Sequence, residues 1–148
     1  MIIPIGIDCG LVELLKKNNL RKLAFPFDWI ISSNGISECI NDNFLNFIPE
    51  EKSFVNKYDM FFMHDFSEHK YLYDKTKYLR RIQRLQNLLE NGNEEIIFIR
   101  KGHACHHHEE EYYTIKNDIN DAVKLDIILS NKYKNLNYKI IMRRIIFS

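Results

Sequence analysis

Apolar runs and amphipathic segments alternate along the chain, and this alternation predicts the order of strands and helices. Continuously apolar runs predict buried strands over residues 2–7, 59–66, 95–99 and 138–147. Hydrophobic residues at helical spacing predict helices over residues 10–18, 36–46, 74–90 and 114–130. Strands that are apolar on both faces and alternate with helices are typical of a parallel sheet covered by helices. The pattern therefore predicts one α/β domain over residues 1–148, with a Rossmann-like, three-layer arrangement.

Hydrophobic positions also mark one face of each long helix. The marked face of helix 74–90 consists of Tyr78, Ile82, Leu85 and Leu89. The residues in register on helix 114–130 are Ile119, Val123 and Ile127. Residues 23–31 are too aromatic and too interrupted by proline for a regular helix, so we predict an extended, buried segment there.

Composition and charge are those of an ordinary globular protein. The chain has 148 residues, 45% hydrophobic and 28% charged, which is enough for a core without disulfides. The net charge of +1 does not indicate a nucleic-acid partner, and no apolar run approaches the roughly 20 residues that span a bilayer. We expect neither partner, and we expect no cofactor. Three cysteines, an odd number, and the lack of a basic leader predict a reducing, cytoplasmic location.

Cys9 lies at the predicted turn from the first strand into the first helix. Backbone N–H groups and the helix dipole favour a thiolate at such a position, and the same groups can stabilise an oxyanion. Gly6 and Gly10 allow close approach to the backbone there. The neighbouring carboxylate of Asp8 would raise a thiol pKa if it pointed the same way. A small buried residue at an element boundary is the alternative to a nucleophile.

His64 and Asp65 come at the end of the predicted second strand. In a parallel sheet they would lie at the carboxyl edge, where open α/β sheets build their sites and where Cys9 also lies. A histidine beside a cysteine is the minimum for an activated thiol nucleophile. His103 follows the third predicted strand at the same edge and is a further candidate. The alternative for His64 is a histidine that ends a strand and bonds to the backbone.

Asp28 lies in the aromatic sequence Phe25-Pro26-Phe27-Asp28-Trp29. If it is buried it needs a partner, because an unpaired buried carboxylate is costly. A histidine partner would make Asp28 the third member of a triad. An arginine partner, such as Arg80, Arg81 or Arg100, would make the pair structural, and the sequence leaves both open.

Two polar clusters have structural explanations that we prefer. The loop over residues 103–111 contains histidine and cysteine, which are zinc ligands, but they are consecutive rather than spaced by two to four residues. We therefore predict a solvated loop and no metal site. Basic residues cluster on helix 74–90, and with a net charge of +1 we interpret them as a solvated face paired with nearby carboxylates rather than a phosphate-binding one.

The order of these motifs resembles a family described as putative papain-like cysteine peptidases, a domain of unknown function with bacterial and viral members. The resemblance covers residues 3–100. It rests on five matching segments, which are Ile5-Gly6-Ile7-Asp8-Cys9, Phe25-Pro26-Phe27-Asp28-Trp29, His64-Asp65-Phe66, Arg80-Arg81 and the strand from Ile96 to Arg100. It adds a papain-like α+β architecture as the alternative fold, and it implies that the chain ends where a longer member would continue.

The resemblance implies a thiol hydrolase in which a cysteine attacks a carbonyl and a histidine carries the proton. The substrate would be a peptide or a small acyl compound. The candidate catalytic residues are Cys9, His64, Asp28 and Asp65. To these we add, as candidate ligand-binding residues, Gly6, Gly10, Arg100 and His103.

Two other functions fit the same residues. A non-catalytic binding module of the same fold would hold a small anionic ligand or a partner peptide at the sheet edge. An esterase-like hydrolase is suggested by the sequence Gly6-Ile7-Asp8-Cys9, which has the outline of a Gly-x-Asp-Ser turn with cysteine in place of serine. The lack of an Asp-x-x-His block near the C-terminus counts against the esterase.

Overall fold

Helices and parallel strands alternate along the chain, which confirms the predicted α/β class. The computed structural model describes residues 1–6, 8–32, 34–101 and 115–143. In chain order, its elements are β1 (Ile2–Pro4), α1 (Gly10–Lys17), α2 (Ile36–Asn41), a 3₁₀ turn (Glu68–Lys70), α3 (Tyr71–Asn91), β2 (Ile96–Lys101), α4 (Ile115–Lys132) and β3 (Tyr138–Arg143). None of the described helices is long and apolar enough to cross a membrane.

The sheet is parallel and has the order β1-β2-β3. Ile3 of β1 is paired with Phe98 of β2, and Phe98 is paired with Ile140 of β3. The pairing extends past β1, since the N–H of Ile5 donates to the carbonyl of Ile99 at 2.9 Å. The carboxyl ends of β1 and β2 therefore lie side by side, and the chain leaves β1 at this edge on its way to α1.

Aromatic rings join α3 to the rest of the core. All four residues of the marked face of α3 are buried, which confirms the predicted orientation of this helix. From this face, the Tyr78 ring contacts the rings of Phe47, Phe62 and Phe66. The Phe27 ring meets the Phe47 ring edge-on. The rings thus pack α3 against both segments that carry the sequence motifs.

The predicted second strand is wrong. Residues 59–66 are not part of the sheet, and Phe61 forms only isolated antiparallel bridges, to Ile31 and to Val55. The backbone is interrupted at both ends of the segment by positive φ angles, of 57° at Asp59 and 66° at Phe66. His64 therefore does not follow a strand of the sheet. Its position has to be derived from the side chains around it.

Two other segments turn earlier than the sequence predicts. Residues 26–29 form a turn rather than an extended segment. α2 ends at Asn41 rather than near residue 46, because the backbone turns at Asn43 and Phe44, which have φ angles of 59° and 62°. The Phe44 ring is nevertheless buried, so the turn returns it to the core.

α4 confirms the predicted helix, but its marked face is exposed. The exposed residues in register are Ile119, Val123 and Ile127. The buried residues of this helix include Asp121, Leu125 and Leu129. The Asp121 carboxylate accepts hydrogen bonds from the backbone N–H groups of Ile36 and Ser37, at 3.2 Å each, and from the Ser37 hydroxyl at 2.5 Å. A carboxylate that caps α2 thus lies on the inward face of α4.

Candidate functional site

Cys9 directly precedes α1, is half-buried and forms no disulfide. Its carbonyl accepts the N–H of Glu13 at 3.2 Å, so Cys9 belongs to the first turn of the helix. The N–H of Gly10 donates to Oδ1 of the buried Asp8 at 2.9 Å. This bond engages one of the backbone N–H groups at the start of α1 that could stabilise an oxyanion, because a carboxylate at a helix N-terminus uses the same donors.

Gly6 and Arg100 connect the end of β1 with the chain at Ser32. The buried Arg100 guanidinium donates from Nη1 to the carbonyl of Ile5 at 2.7 Å and from Nη2 to the carbonyl of Ser32 at 3.0 Å. Gly6 has a φ of 105°, and a Cβ there would lie 2.9 Å from Nη1 of Arg100. These contacts give both residues a structural role, and their binding of a ligand stays a prediction.

Asp28 is fully buried, and its hydrogen-bonding arginine is Arg21 rather than one of those named from the sequence. Oδ2 of Asp28 accepts from Nε of Arg21 at 3.1 Å, from Nη2 at 2.5 Å, and from the N–H of Phe25 at 3.2 Å. Burial raises the pKa of Asp28 above its usual 3.8, although the hydrogen bond and charge of Arg21 act in the opposite direction. The carboxylate thereby fixes the turn that carries Trp29.

Asp65 anchors its segment to α3. Its two oxygens accept hydrogen bonds from Nζ of Lys77 at 2.6 Å and from the hydroxyl of Tyr78 at 2.7 Å. The next residue, Phe66, donates its N–H to Asp74 at 2.9 Å. Burial acts to raise the pKa of Asp65, but the hydrogen bonds from Lys77 and Tyr78 outweigh it and hold that pKa below its usual 3.8. The carboxylate is therefore engaged by α3.

His64 is exposed, and its ring lies against Trp29. The two ring centroids are 5.7 Å apart and the ring planes meet at 84°. The ammonium of Lys16, on α1, lies 4.6 Å from the centroid of the same Trp29 ring. Trp29 therefore contacts both the candidate base and the helix that begins directly after Cys9.

A second set of contacts links the two candidate segments through Ile31 and Ser32. Gly6 packs against Ser32, since a Cβ on Gly6 would lie 3.2 Å from the Ser32 carbonyl oxygen. Ile31 and Phe61 exchange both backbone hydrogen bonds, each at 2.9 Å. The segment that leads to the candidate nucleophile and the segment that leads to the candidate base thus contact adjacent residues, Ser32 and Ile31.

The family comparison covers this whole arrangement. A family model described as putative papain-like cysteine peptidase matches residues 1–53 and 38–143. The chain belongs to this family. Both motif segments of this family member, residues 25–29 and 64–66, lie inside the matched regions. Neither the curated proteins nor the solved structures contain a match to the chain.

The basic face of α3 in this family member is paired with nearby carboxylates through Lys77, as predicted, and two of its arginines also contact other groups of the protein. Lys77 binds Asp65, and Nη1 of Arg84 donates to the carbonyl of Ala24. The Arg81 guanidinium lies over the Tyr78 ring, 5.0 Å from its centroid. Positions 77, 81 and 84 follow the i, i+4, i+7 spacing of one helix face, and this spacing is the signal that would have identified them. No comparable pattern marks Arg21 or Asp121.

The histidine-rich loop lies outside the described residues, and with it His103. Among the described residues, no group of three or more histidine, cysteine, aspartate or glutamate side chains could hold a metal ion. The predicted solvated loop and the role of His103 therefore stay predictions.

Asp65→Asn is expected to make the stability of the protein less sensitive to acid. A carboxylate with a lowered pKa contributes stability above its unfolded pKa, and this contribution is lost as the pH falls through the lower, folded-state value. Wild type should therefore lose more stability than the variant below about pH 4. At neutral pH the variant should be less stable by roughly 2 kcal/mol, because the amide is neutral and only one of its two terminal atoms can still accept a hydrogen bond.

Urea unfolding at neutral pH and at about pH 3 tests this expectation. Asp59→Asn is the matched control, since Asp59 is exposed and asparagine tolerates its positive φ. Equal losses on acidification in wild type and Asp65→Asn would contradict the prediction.

Proposed function

We propose that the protein is a thiol hydrolase in which Cys9 is the nucleophile and His64 the general base. The observation that carries this proposal is the position of Trp29, which contacts both His64 and Lys16 of α1. Membership of a family described as putative papain-like cysteine peptidase supports this class of reaction. The substrate would be a peptide or a small acyl compound, with neither nucleic acid nor a membrane as partner.

In this reaction, His64 accepts the thiol proton as the Cys9 sulfur attacks the acyl carbon. The tetrahedral intermediate then collapses to a thioester, and His64 delivers the proton to the leaving group. Water hydrolyses the thioester and releases the acid and the thiol. We assign Asp28 and Asp65 indirect roles, because each holds its own segment through a cationic side chain rather than bonding to the histidine.

For the architecture, we favour the Rossmann-like arrangement over the papain-like one. The parallel order β1-β2-β3, with helices between consecutive strands, supports it, since a papain-like fold needs an antiparallel sheet. We also propose a cytoplasmic location, which agrees with the absence of a disulfide at Cys9 and Cys39, the two cysteines among the described residues.

Alkylation of Cys9 by iodoacetamide tests the proposed function without a known substrate. We expect Cys9 to react well below pH 8, where an ordinary thiol is mostly protonated. His64→Ala should slow the reaction at neutral pH by at least about tenfold, since it removes the base. Mass spectrometry of the digested protein assigns the modification to each cysteine. Cys39 is the internal reference, because burial raises the pKa of its thiol well above the usual value.

His69→Ala is the matched control for this experiment. His69 is also exposed and lies in the neighbouring 3₁₀ turn, so its loss should leave the alkylation rate unchanged. An inert Cys9, or equal rates in wild type and His64→Ala, would rule out the thiol hydrolase.

A non-catalytic binding module is the second candidate, and one observation favours it. The hydrogen bond from Gly10 to Asp8 occupies an N–H group that an oxyanion would need. If the site only binds a ligand, Cys9 should react like an ordinary thiol at every pH. The alkylation profile therefore distinguishes the two functions.

A further inference from the structure

Carboxylates neutralise two of the cations around the candidate site. Nη2 of Arg21 lies 2.5 Å from the carboxylate of the buried Asp28. Nζ of Lys77 lies 2.6 Å from the carboxylate of Asp65 and 3.0 Å from that of Asp74. The positive charges of Arg21 and Lys77 are therefore balanced by direct contact. The charge that the site presents to a ligand depends on the cations that bind no carboxylate.

Two arginines of α3 are held next to the motif segments by neutral groups. The Arg81 guanidinium lies over the Tyr78 ring, 5.0 Å from its centroid, and its buried Nη1 donates to no group among the described residues. Nη1 of Arg84 donates to the carbonyl of Ala24, directly before the aromatic motif. Because a ring and a carbonyl carry no net charge, both arginines add positive potential around the site.

Lys16, in the last turn of α1, is a cation near the candidate base that has no counter-ion in the described part of the chain. Its side chain is exposed, and its ammonium lies 4.6 Å from the centroid of the Trp29 ring, which the His64 ring also contacts. It forms no ion pair with any described residue, including Glu13 one turn earlier. Asp8 binds the backbone at the opposite end of the helix. A cation–π contact orients an ammonium group but leaves its charge unbalanced.

The distance between Lys16 and His64 limits how far from the scissile bond a partner of Lys16 would lie. The ammonium is 4.6 Å and the His64 ring centroid 5.7 Å from the Trp29 ring centroid. The ammonium is therefore no farther from the His64 ring than these two distances together. An extended peptide covers that span with about three residues, at roughly 3.3–3.6 Å each. A substrate group that binds Lys16 would thus lie within about three residues of the bond at which His64 acts.

We propose that Lys16 binds a carboxylate of the substrate, so that the site prefers acyl substrates with a negative charge close to the scissile bond. This proposal rests on the thiol hydrolase function, which makes the ligand an acyl compound, and it adds the charge of that compound. A carboxylate is the group of a peptide that forms charge-assisted hydrogen bonds with an ammonium. Arg81 and Arg84 strengthen the attraction through their unbalanced charges. The carboxylate can come from an acidic side chain or from a chain terminus.

Trp29 is the single tryptophan of the chain, so its fluorescence measures binding without catalysis. It is titrated with capped Ala-Glu-Ala-Ala, with capped Ala-Gln-Ala-Ala, and with the glutamine peptide carrying a free C-terminal carboxylate. At low salt, the glutamate peptide should reach its midpoint at about fivefold lower concentration than the capped glutamine peptide. The difference should shrink at about 1 M NaCl, because salt screens exposed charges. The third peptide shows whether a chain terminus serves as well as a side chain.

Variants of Lys16 assign the preference to its charge. Lys16→Gln should remove most of the preference for the carboxylate peptides, and Lys16→Arg should retain it. Lys17→Gln is the matched control, because Lys17 is the next residue of α1, is equally exposed and loses the same charge.

Three results would overturn the proposal. The first is a capped glutamine peptide that binds as tightly as both carboxylate peptides, and the second is the lack of a saturable change with any peptide. The third is a preference that survives Lys16→Gln or falls equally in Lys17→Gln. None of these measurements depends on the reactivity of Cys9, so a failure here is distinct from a failure of the alkylation test.

Discussion

Phe27→Ala is expected to lower the free energy of unfolding by about 4 kcal/mol. The Phe27 ring is fully buried, stacks on Phe44 at 5.6 Å and meets Phe47 edge-on at 5.9 Å. The loss combines the removed burial, the cavity left behind and the two ring contacts. Urea unfolding at neutral pH measures it.

Leu72→Ala is the control for this prediction. Leu72 is exposed on the surface of α3, and its truncation should change stability by no more than about 0.5 kcal/mol. If Phe27→Ala lowers the free energy of unfolding by less than about 2 kcal/mol, the Phe27 ring stabilises the core less than its contacts indicate.

Gly6→Ala is expected to destabilise the protein by about 3 kcal/mol. Its φ of 105° is strained for any residue with a Cβ. The new Cβ would also lie 2.9 Å from Nη1 of Arg100, which donates to the carbonyl of Ile5 at the end of β1. The guanidinium would have to move, and a buried charged group would lose hydrogen bonds.

Gly10→Ala is the matched control, because Gly10 begins α1 with a helical backbone, where alanine is favoured. Thermal unfolding of the two variants should therefore differ by several degrees or more for a chain of this length. Equal melting temperatures of Gly6→Ala and wild type would show that Arg100 tolerates the added methyl group.

Elements with a strong repeating pattern were predictable. α3 follows its hydrophobic stripe over its whole length, and all four predicted residues are buried. α1 was also predicted within one residue, from a leucine face and terminating asparagines. The three parallel strands of the described residues were predicted as apolar runs, and the bounds of β1 and β2 differ from the prediction by a few residues. The predicted end of the last strand lies outside the described residues. In each case a local pattern and the tertiary environment favour the same structure.

The segment at residues 59–66 was mispredicted because an apolar run does not reveal which of its faces is covered. Its inner residues are buried, but its outer residues are exposed. α4 shows the same limit, since its isoleucine and valine face is exposed while Asp121 is buried. A buried carboxylate is stable there because three donors from α2 and its N-terminus satisfy it.

Some features of the candidate site were likewise predictable from the sequence, and others are visible only in the structure. The motif order and a cysteine before a helix were visible in the sequence, and they were enough to identify the family. The hydrogen-bond and ring partners of the candidate residues were not visible, because they depend on how the chain between the two residues folds. Asp28 binds Arg21 and Asp65 binds Lys77, and the contact of His64 with Trp29 spans 35 positions.

The chain's own pattern of apolar, polar and turn-forming residues thus established an α/β protein with parallel strands, a long helix with one buried face and a family-specific set of motifs. Only the tertiary structure decided which carboxylates hold their segments in place, which hydrophobic residues are exposed, and which aromatic ring lies beside His64. The physical reason is that hydrophobic periodicity indicates only the local backbone conformation and which face of an element is apolar. Charge pairing and exposure depend on neighbours as distant as Arg100 and Ile5, which are 95 positions apart.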